Sequence, residues 1–219
     1  MRVVIVGAAP DPGPTGADAC AAADLVIAAD GGAAHCLGWG LSPRVVIGDN
    51  DSLATEAAAR LERRGTRFLR YPPEKDATDL ELALDEALDR GAESIDLFGV
   101  LGGRWDHTLA NLLLPARPKY APARIRAWAD DQWLHWLHPG RELRVHGRPG
   151  LRVSLLPLGG DAREVVTRGL RFPLAGETLD HARSRGVSNA MTGRQATVRL
   201  GGGVLVVIGP PGGQKPAET

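Results

Sequence analysis

"TDLELALDEALDRGAESIDLFGVLGGRWDHTLANLLL", residues 78–114, is the stretch whose reading decides the fold. Leu80, Ala83, Leu84, Ala87 and Leu88 recur at helical spacing and make one apolar stripe. Thr78 and Glu81 stand at capping-box spacing ahead of it, and Gly91 is placed to end the helix. "SIDLFGV" (94–100) then reads as a short strand, "LGGR" as a glycine turn and "DHTLANLLL" as another helix. The same alternation runs back through "VVIV" (3–6), "LVIAA" (25–29), "RVVIG" (44–48), a helix over about 53–64 closed by Gly65, and "RFLRY" (67–71), and on to "RIRAWA" (124–129). Strand and helix in alternation predict a parallel sheet with helices on its faces.

Past Asp130 the helical period fades. "QWLHWL", "ELRVHG", "RVSLLPL", "REVVTRGL", "ATVRL" and "VLVVIG" follow, separated by Gly, Pro and polar turns. The expected fold class is α/β: an N-terminal parallel-sheet domain over residues 1–130, then a smaller C-terminal all-β sandwich over 131–210. The tail 211–219, "PGGQKPAET", reads as disordered.

The 219 residues carry 26 basic and 26 acidic side chains, so no global field draws the chain to nucleic acid or an anionic membrane. Arg outnumbers Lys 23 to 3, but the arginines are scattered and carry little weight as a phosphate signal. The two cysteines, Cys20 and Cys36, match no disulfide framework or zinc spacing and fit a reducing cytoplasm. No apolar run has signal-peptide or membrane-span length. The expected location is cytoplasmic.

In open parallel sheets ligands bind beyond the carboxyl ends of the strands. Four consecutive strand ends here carry acids. "ADGGA" places Asp30, Gly31 and Gly32 after the second strand, and "GDNDS" places Asp49 and Asp51 after the third. "KDATD" places Lys75, Asp76 and Asp79 after the fourth, and "GGRWDH" places Gly103, Arg104, Asp106 and His107 after the fifth. Each has a plain alternative. Asp51 or Ser52, Thr78 or Asp79, and Asp106 could each cap the following helix, His107 could be a first-turn surface residue, and Gly31-Gly32 a tight turn. Trp128, Trp133 and Trp136 read as domain-junction packing, and Gly7 in "GAAPDPG" is no dinucleotide fingerprint. Capping needs one acid per helix, however, whereas "GDND" and "KDATD" bring two each, and crowded carboxylates repel. A hard divalent cation relieves that repulsion, and Mg2+ is commonly held by one or two carboxylates plus substrate phosphates. Glycine turns admit backbone N–H groups to phosphate, and Arg104 offers a bidentate fork. The residues alone point to phosphoryl chemistry on a nucleotide–magnesium complex.

"ADGGA", "GDNDS", "KDATD" and "GGRWDHTLAN", followed by "GLRFPLAGETL" and "GVSNAM", resemble in order and spacing the thiamin pyrophosphokinase family across nearly the whole chain. The resemblance implies Mg2+-dependent transfer of a pyrophosphoryl group from ATP to thiamin, and a homodimer with ligand sites between subunits. Residue by residue, it implies that Asp49, Asp51 and Asp79 hold the metal with Asp76 close by, and that Asp30 and Arg104 line the phosphate region. Gly31, Gly32, Lys75, Gly103 and His107 complete the nucleotide set. Asp106 faces the reacting groups, and Ser188 and Asn189 reach thiamin; Asp76, Asp106 or water is the candidate acceptor of the hydroxyl proton. Two positions depart from the family pattern: Asn50 stands where the acidic motif has Phe, and Ala77 where the next has Gln. Two rival readings are a metal-dependent phosphohydrolase, which would need histidine ligands this chain does not place, and a non-catalytic nucleotide or thiamin sensor.

Overall fold

The structure is a computed structural model and describes residues 1–13, 15–49, 53–129, 132–209 and 217–218. It divides into two compact units, residues Met1–Leu114 with Ala127–Asp130, and Pro115–Arg126 with Asp131–Thr219.

The first unit runs β1 (Arg2–Val6), α1 (Gly16–Ala21), β2 (Leu25–Ala29), α2 (Gly32–Gly38), β3 (Val45–Gly48), α3 (Thr55–Arg63), β4 (Arg67–Arg70), α4 (Asp79–Asp89), β5 (Ser94–Phe98) and α5 (Trp105–Leu113). Its strands lie in the order β5-β1-β2-β3-β4, and every pairing is parallel. Val3 to Val6, Ile27, Ala28 and Val45 to Ile47 are fully buried, as a sheet covered on both faces requires. That is why these strands read as unbroken apolar runs. Helix α4 has the expected anatomy. Thr78 Oγ1 accepts from Glu81 N at 3.3 Å, Leu80, Ala83, Leu84 and Ala87 face inward, and Gly91 takes a φ of +80° beyond the last turn. Burying Leu84 contributes about 1.5–3 kcal/mol. Cys20 and Cys36 are free thiols packed in the same core as Val4 and Ala33.

Strands β1 to β4 progress in one direction across the sheet, and the chain then returns to lay β5 on the other side of β1. The order reverses between β1 and β5. At such a reversal the connecting loops diverge and leave a crevice at the carboxyl ends of the strands. A cavity lies there.

Strand β6 (Arg124–Ala129) spans the division between units. In the second unit, β12 (Asn189–Ala190), β9 (Arg152–Pro157), β14 (Leu205–Ile208) and β7 (Gln132–Leu137) pair antiparallel in that order. A second antiparallel sheet runs β11 (Ala175–Leu179), β10 (Ala162–Arg168), β13 (Gln195–Arg199), β8 (Glu142–His146) and β15 (Ala217–Glu218). Alternate residues such as Leu143 and Val145, Val153 and Leu155, and Ala196 and Val198 are buried, the period-2 pattern of a sheet with one face inward.

Two details differ from the sequence expectations. Residues 115–126 belong with the second unit, because His138 Nε2 bonds Pro115 O at 3.0 Å and Arg141 Nη2 donates to Pro122 O at 2.7 Å. Ala217–Glu218 pairs with β8 as a strand, although 211–219 reads as disordered; the rest of that tail lies outside the described residues. Trp128 stacks on Phe98 with centroids 6.1 Å apart, and Trp133 lies directly over Gly209. Among the described residues no helix is long and apolar enough to cross a membrane.

Candidate functional site

The crevice is a cavity of about 410 Å³ walled by the loop after β1 (Gly7 to Pro10), the end of β2, the start of α4, and the loop after β5 with α5. That size suits a small-molecule ligand. Its two main loops are pressed backbone to backbone: Gly7 N donates to Phe98 O and Ala9 N to Gly99 O, both at 2.8 Å. A Cβ on Gly7 would lie 2.6 Å from Gly99 O, and one on Gly99 equally close to Gly7 O. Only glycine permits that approach. No motif marks the Gly7–Pro10 wall, since its glycine matters for contact with Gly99 rather than for a fingerprint.

Of the candidate residues, Asp30, Asp79, Gly103, Arg104 and His107 line this cavity. Asp30 adopts a left-handed φ of +46°, tied by its N–H to Ile47 O at 2.8 Å. Such a conformation is tolerated by Asp and marks a constrained position. Gly48 draws the acids together: a Cβ there would stand 3.3 Å from both Asp30 Cβ and the Asp79 carboxyl carbon. Asp49 follows directly in the chain. Lys75 Nζ lies 2.8 Å from Asp79 Oδ1, both side chains largely buried. Asp76 is exposed. Asp51 lies outside the described residues, and among the described residues no three His, Cys, Asp or Glu side chains gather closely enough to hold a metal on their own. The hard-oxygen donor set around Gly48 nevertheless suits a hard cation that shares its shell with phosphate and water.

Capping accounts for fewer of the acids than their spacing allows. Helix α3 has Ala54 at its N-cap, and α5 has Arg104, so Asp106 falls inside the first turn of α5 rather than before it. Among the described residues, Thr78 is the one N-cap of these helices that accepts through its side chain. Gly32 is explained by packing: its Cβ would lie 1.9 Å from Val6 O, so α2 can start against β1 only with glycine there. Gly31, the N-cap of α2, has ordinary helical angles, and neither residue lines the cavity.

Arg104 and Asp106 engage each other at the rim. Arg104 Nη2 donates to Asp106 Oδ2 at 2.6 Å and Nε to Oδ1 at 3.2 Å. The Arg104 hydrogen bond, helped by the His107 N–H, holds the Asp106 carboxyl down to about 2, and the same pairing raises Arg104. A carboxylate that acidic is a weak proton acceptor near neutrality, which argues against Asp106 as the base.

In the second unit, Ser188 has a φ of +60° and its N–H donates to Ser154 Oγ at 3.0 Å. Asn189 is buried and committed to backbone: Oδ1 accepts from Phe172 N at 3.0 Å and Nδ2 donates to Phe172 O at 2.7 Å. The clamp presents Phe172, whose ring is 63% exposed, with Arg171 over it at 5.6 Å. The aromatic residue of "GLRFPL" was the unused signal.

Two family models match this chain: thiamin pyrophosphokinase, catalytic domain, over residues 17–127, and thiamin pyrophosphokinase, vitamin B1 binding domain, over residues 142–205. The thiamine pyrophosphokinase of Bacillus subtilis (strain 168) is 30% identical over 185 residues, covering 84% of this chain and 86% of that protein. The crystal structure of the B. subtilis thiamine pyrophosphokinase superposes with a TM-score of 0.81 at 26% identity, over 96% of this chain and 99% of that one. A thiamin pyrophosphokinase family protein from Enterococcus faecalis gives 0.80 at 29% identity, with the same coverage of both chains.

Proposed function

The chain belongs to the thiamin pyrophosphokinase family and carries out ATP-dependent transfer of a pyrophosphoryl group to thiamin, giving thiamin diphosphate and AMP; we propose that the cavity between the β1 and β5 loops is its nucleotide site. The observation that carries the assignment is the meeting of Asp30 and Asp79 around Gly48, in a cavity whose other rim is Gly103, Arg104 and His107. Neither rival reading, a phosphohydrolase or a sensor, is favoured by any relative.

In this reading Asp49, Asp51 and Asp79 hold Mg2+, which when bound would screen the charge of the transferred phosphates. Lys75 neutralises Asp79 and stands ready for a phosphate oxygen. Gly102 and Gly103, with φ of +93° and +73°, leave the backbone bare beside the ligand, and Arg104 keeps Asp106 on Nε and Nη2 while offering Nη1 to the phosphates. Phosphoryl transfer asks the protein chiefly for alignment and charge stabilisation. Proton removal from the thiamin hydroxyl comes late and falls to Asp76 or water, since Asp106 is held acidic by Arg104. Phe172 supplies a flat apolar surface for a thiamin ring, and Ser188 directly precedes the strand β12 that carries its clamp.

The protein acts as a homodimer. Trp105, Leu109 and Leu113 recur at intervals of four on α5 and are all exposed, and this stripe is the surface a second copy would cover.

The deciding experiment supplies ATP, magnesium and thiamin and follows products by chromatography, with thiamin omitted as control. Stoichiometric thiamin-dependent AMP and thiamin diphosphate are expected. Thiamin-dependent ADP would mean attack at the γ-phosphorus, and thiamin-independent phosphate would mean hydrolysis; either would overturn the reading.

A further inference from the structure

Helix α5 is built the wrong way round for a packing helix. Its apolar residues Trp105, Leu109 and Leu113 face out, while its buried side chains are polar, Thr108 and Asn111. Buried polar groups need hydrogen bonds, and here both reach the same loop. Thr108 Oγ1 accepts from Gly102 N at 3.0 Å and lies 3.4 Å from Gly102 O. Asn111 Nδ2 donates to Val100 O at 2.7 Å, and Thr108 N donates to Arg104 O at 3.0 Å. That loop contains two left-handed glycines and ends at Arg104. Glycine leaves a loop with more freedom than any other residue, so its conformation must be imposed from outside.

Resting on the nucleotide site described above, we propose that Thr108 and Asn111 are positioning residues: they fix residues 100–104 so that Arg104 meets the nucleotide phosphates. The pair does not exist for stability alone. Asn111 Oδ1 is buried in the cavity wall without a hydrogen-bond partner, an arrangement that an apolar side chain of similar size would avoid. A residue kept in spite of an unmet acceptor is kept for what its other atom holds. Because Arg104 is exposed and attached through flexible glycines, small drifts of the loop carry its guanidinium away from any phosphate.

Thr108→Val removes the hydroxyl at constant shape. It should weaken Mg-ATP binding, measured by calorimetry without thiamin, about tenfold, the scale of one or two lost hydrogen bonds. KM for ATP should rise by a similar factor while KM for thiamin holds. Thr108→Ser should restore both. In an Arg104→Ala background the Thr108→Val change should add nothing, because its route to the nucleotide is gone. An equal loss in both backgrounds would reduce Thr108 to a structural residue and overturn the proposal. Asn111→Leu provides a second variant: it removes the bond to Val100 O, and a protein that keeps its native fold by circular dichroism should bind Mg-ATP about tenfold more weakly. Parent-like binding by that variant would also overturn the proposal. The calorimetric arm needs no acceptor, so absence of AMP in the parent would refute the thiamin reading and leave this result standing or falling by itself.

Discussion

At the amino ends of the first unit's strands charges are settled locally. Arg2 Nη2 lies 3.2 Å from the fully buried Asp96, the Arg2 N–H donates to Asp24 at 2.7 Å, and the chain's own amine sits 3.4 Å from Glu93. At the carboxyl ends of the same strands Asp30 and Asp79 instead converge on Gly48, with Asp49 next in the chain and Lys75 set against Asp79. Both ends hold carboxylates on one scaffold. At the amino ends each settles a neighbour and contributes to folding; at the carboxyl ends acids are gathered with acids, a costly arrangement that a bound cation and polyphosphate would relieve.

The sharpest way to break that contrast is to remove one charge from each end. Asp79→Asn should lower kcat/KM by about 100-fold or more, the scale of losing one preorganised charge in a phosphoryl-transfer site. Its cost in folding should stay within ~1 kcal/mol, because loss of the Lys75 pair and of a first-turn acid of α4 is offset by relief of the repulsion from Asp30. Steady-state AMP production and a urea melt measure the two together. Near-parent turnover would end the functional reading of the carboxyl ends.

Asp96→Asn should do the reverse. The Arg2 guanidinium is then left beside a neutral amide in a half-buried place, and stability should fall by about 2 kcal/mol, less than for a wholly buried pair because Arg2 is 30% exposed. Turnover per folded molecule should not change. If kcat fell while the urea midpoint held, the division between the two ends would be wrong.

This contrast also marks what could be read from the amino acids. Acids at strand ends were legible because a parallel sheet sends every carboxyl end to one edge, and α4 was legible because stripe, cap and terminating glycine lie within a single stretch. Helices α1 and α2 were not, being six and seven residues of mostly Ala and Gly with no stripe to show a period. The Gly7–Pro10 wall escaped because its reason is a contact with Gly99, far along the chain. The bonds of Asn189 escaped for a related cause: a motif shows which residue is required, whereas the partner of its amide, the Phe172 backbone, is set only by how β12 meets the preceding loop.

The smallest expected effect concerns Asp106, which belongs to the carboxyl edge by position and to the settled kind by pairing. Its carboxyl should titrate at about 2 in the native protein, against an ordinary value of 3.8. Because the folded value is the depressed one, whatever the pair adds to stability is present in full above about 3.8 and is lost as pH falls toward 2. Both groups are open to solvent, so this contribution is strongly screened, and the informative readout is the titration itself. Carbon-detected NMR should place the midpoint near 2 in the parent and move it up toward 3.8 in Arg104→Ala, with added salt narrowing the gap between them. An Asp106 that already titrates near 3.8 in the parent would mean that Arg104 does not hold it; the carboxylate would then be the better base of the two, and proton removal from the thiamin hydroxyl would pass from Asp76 or water to Asp106.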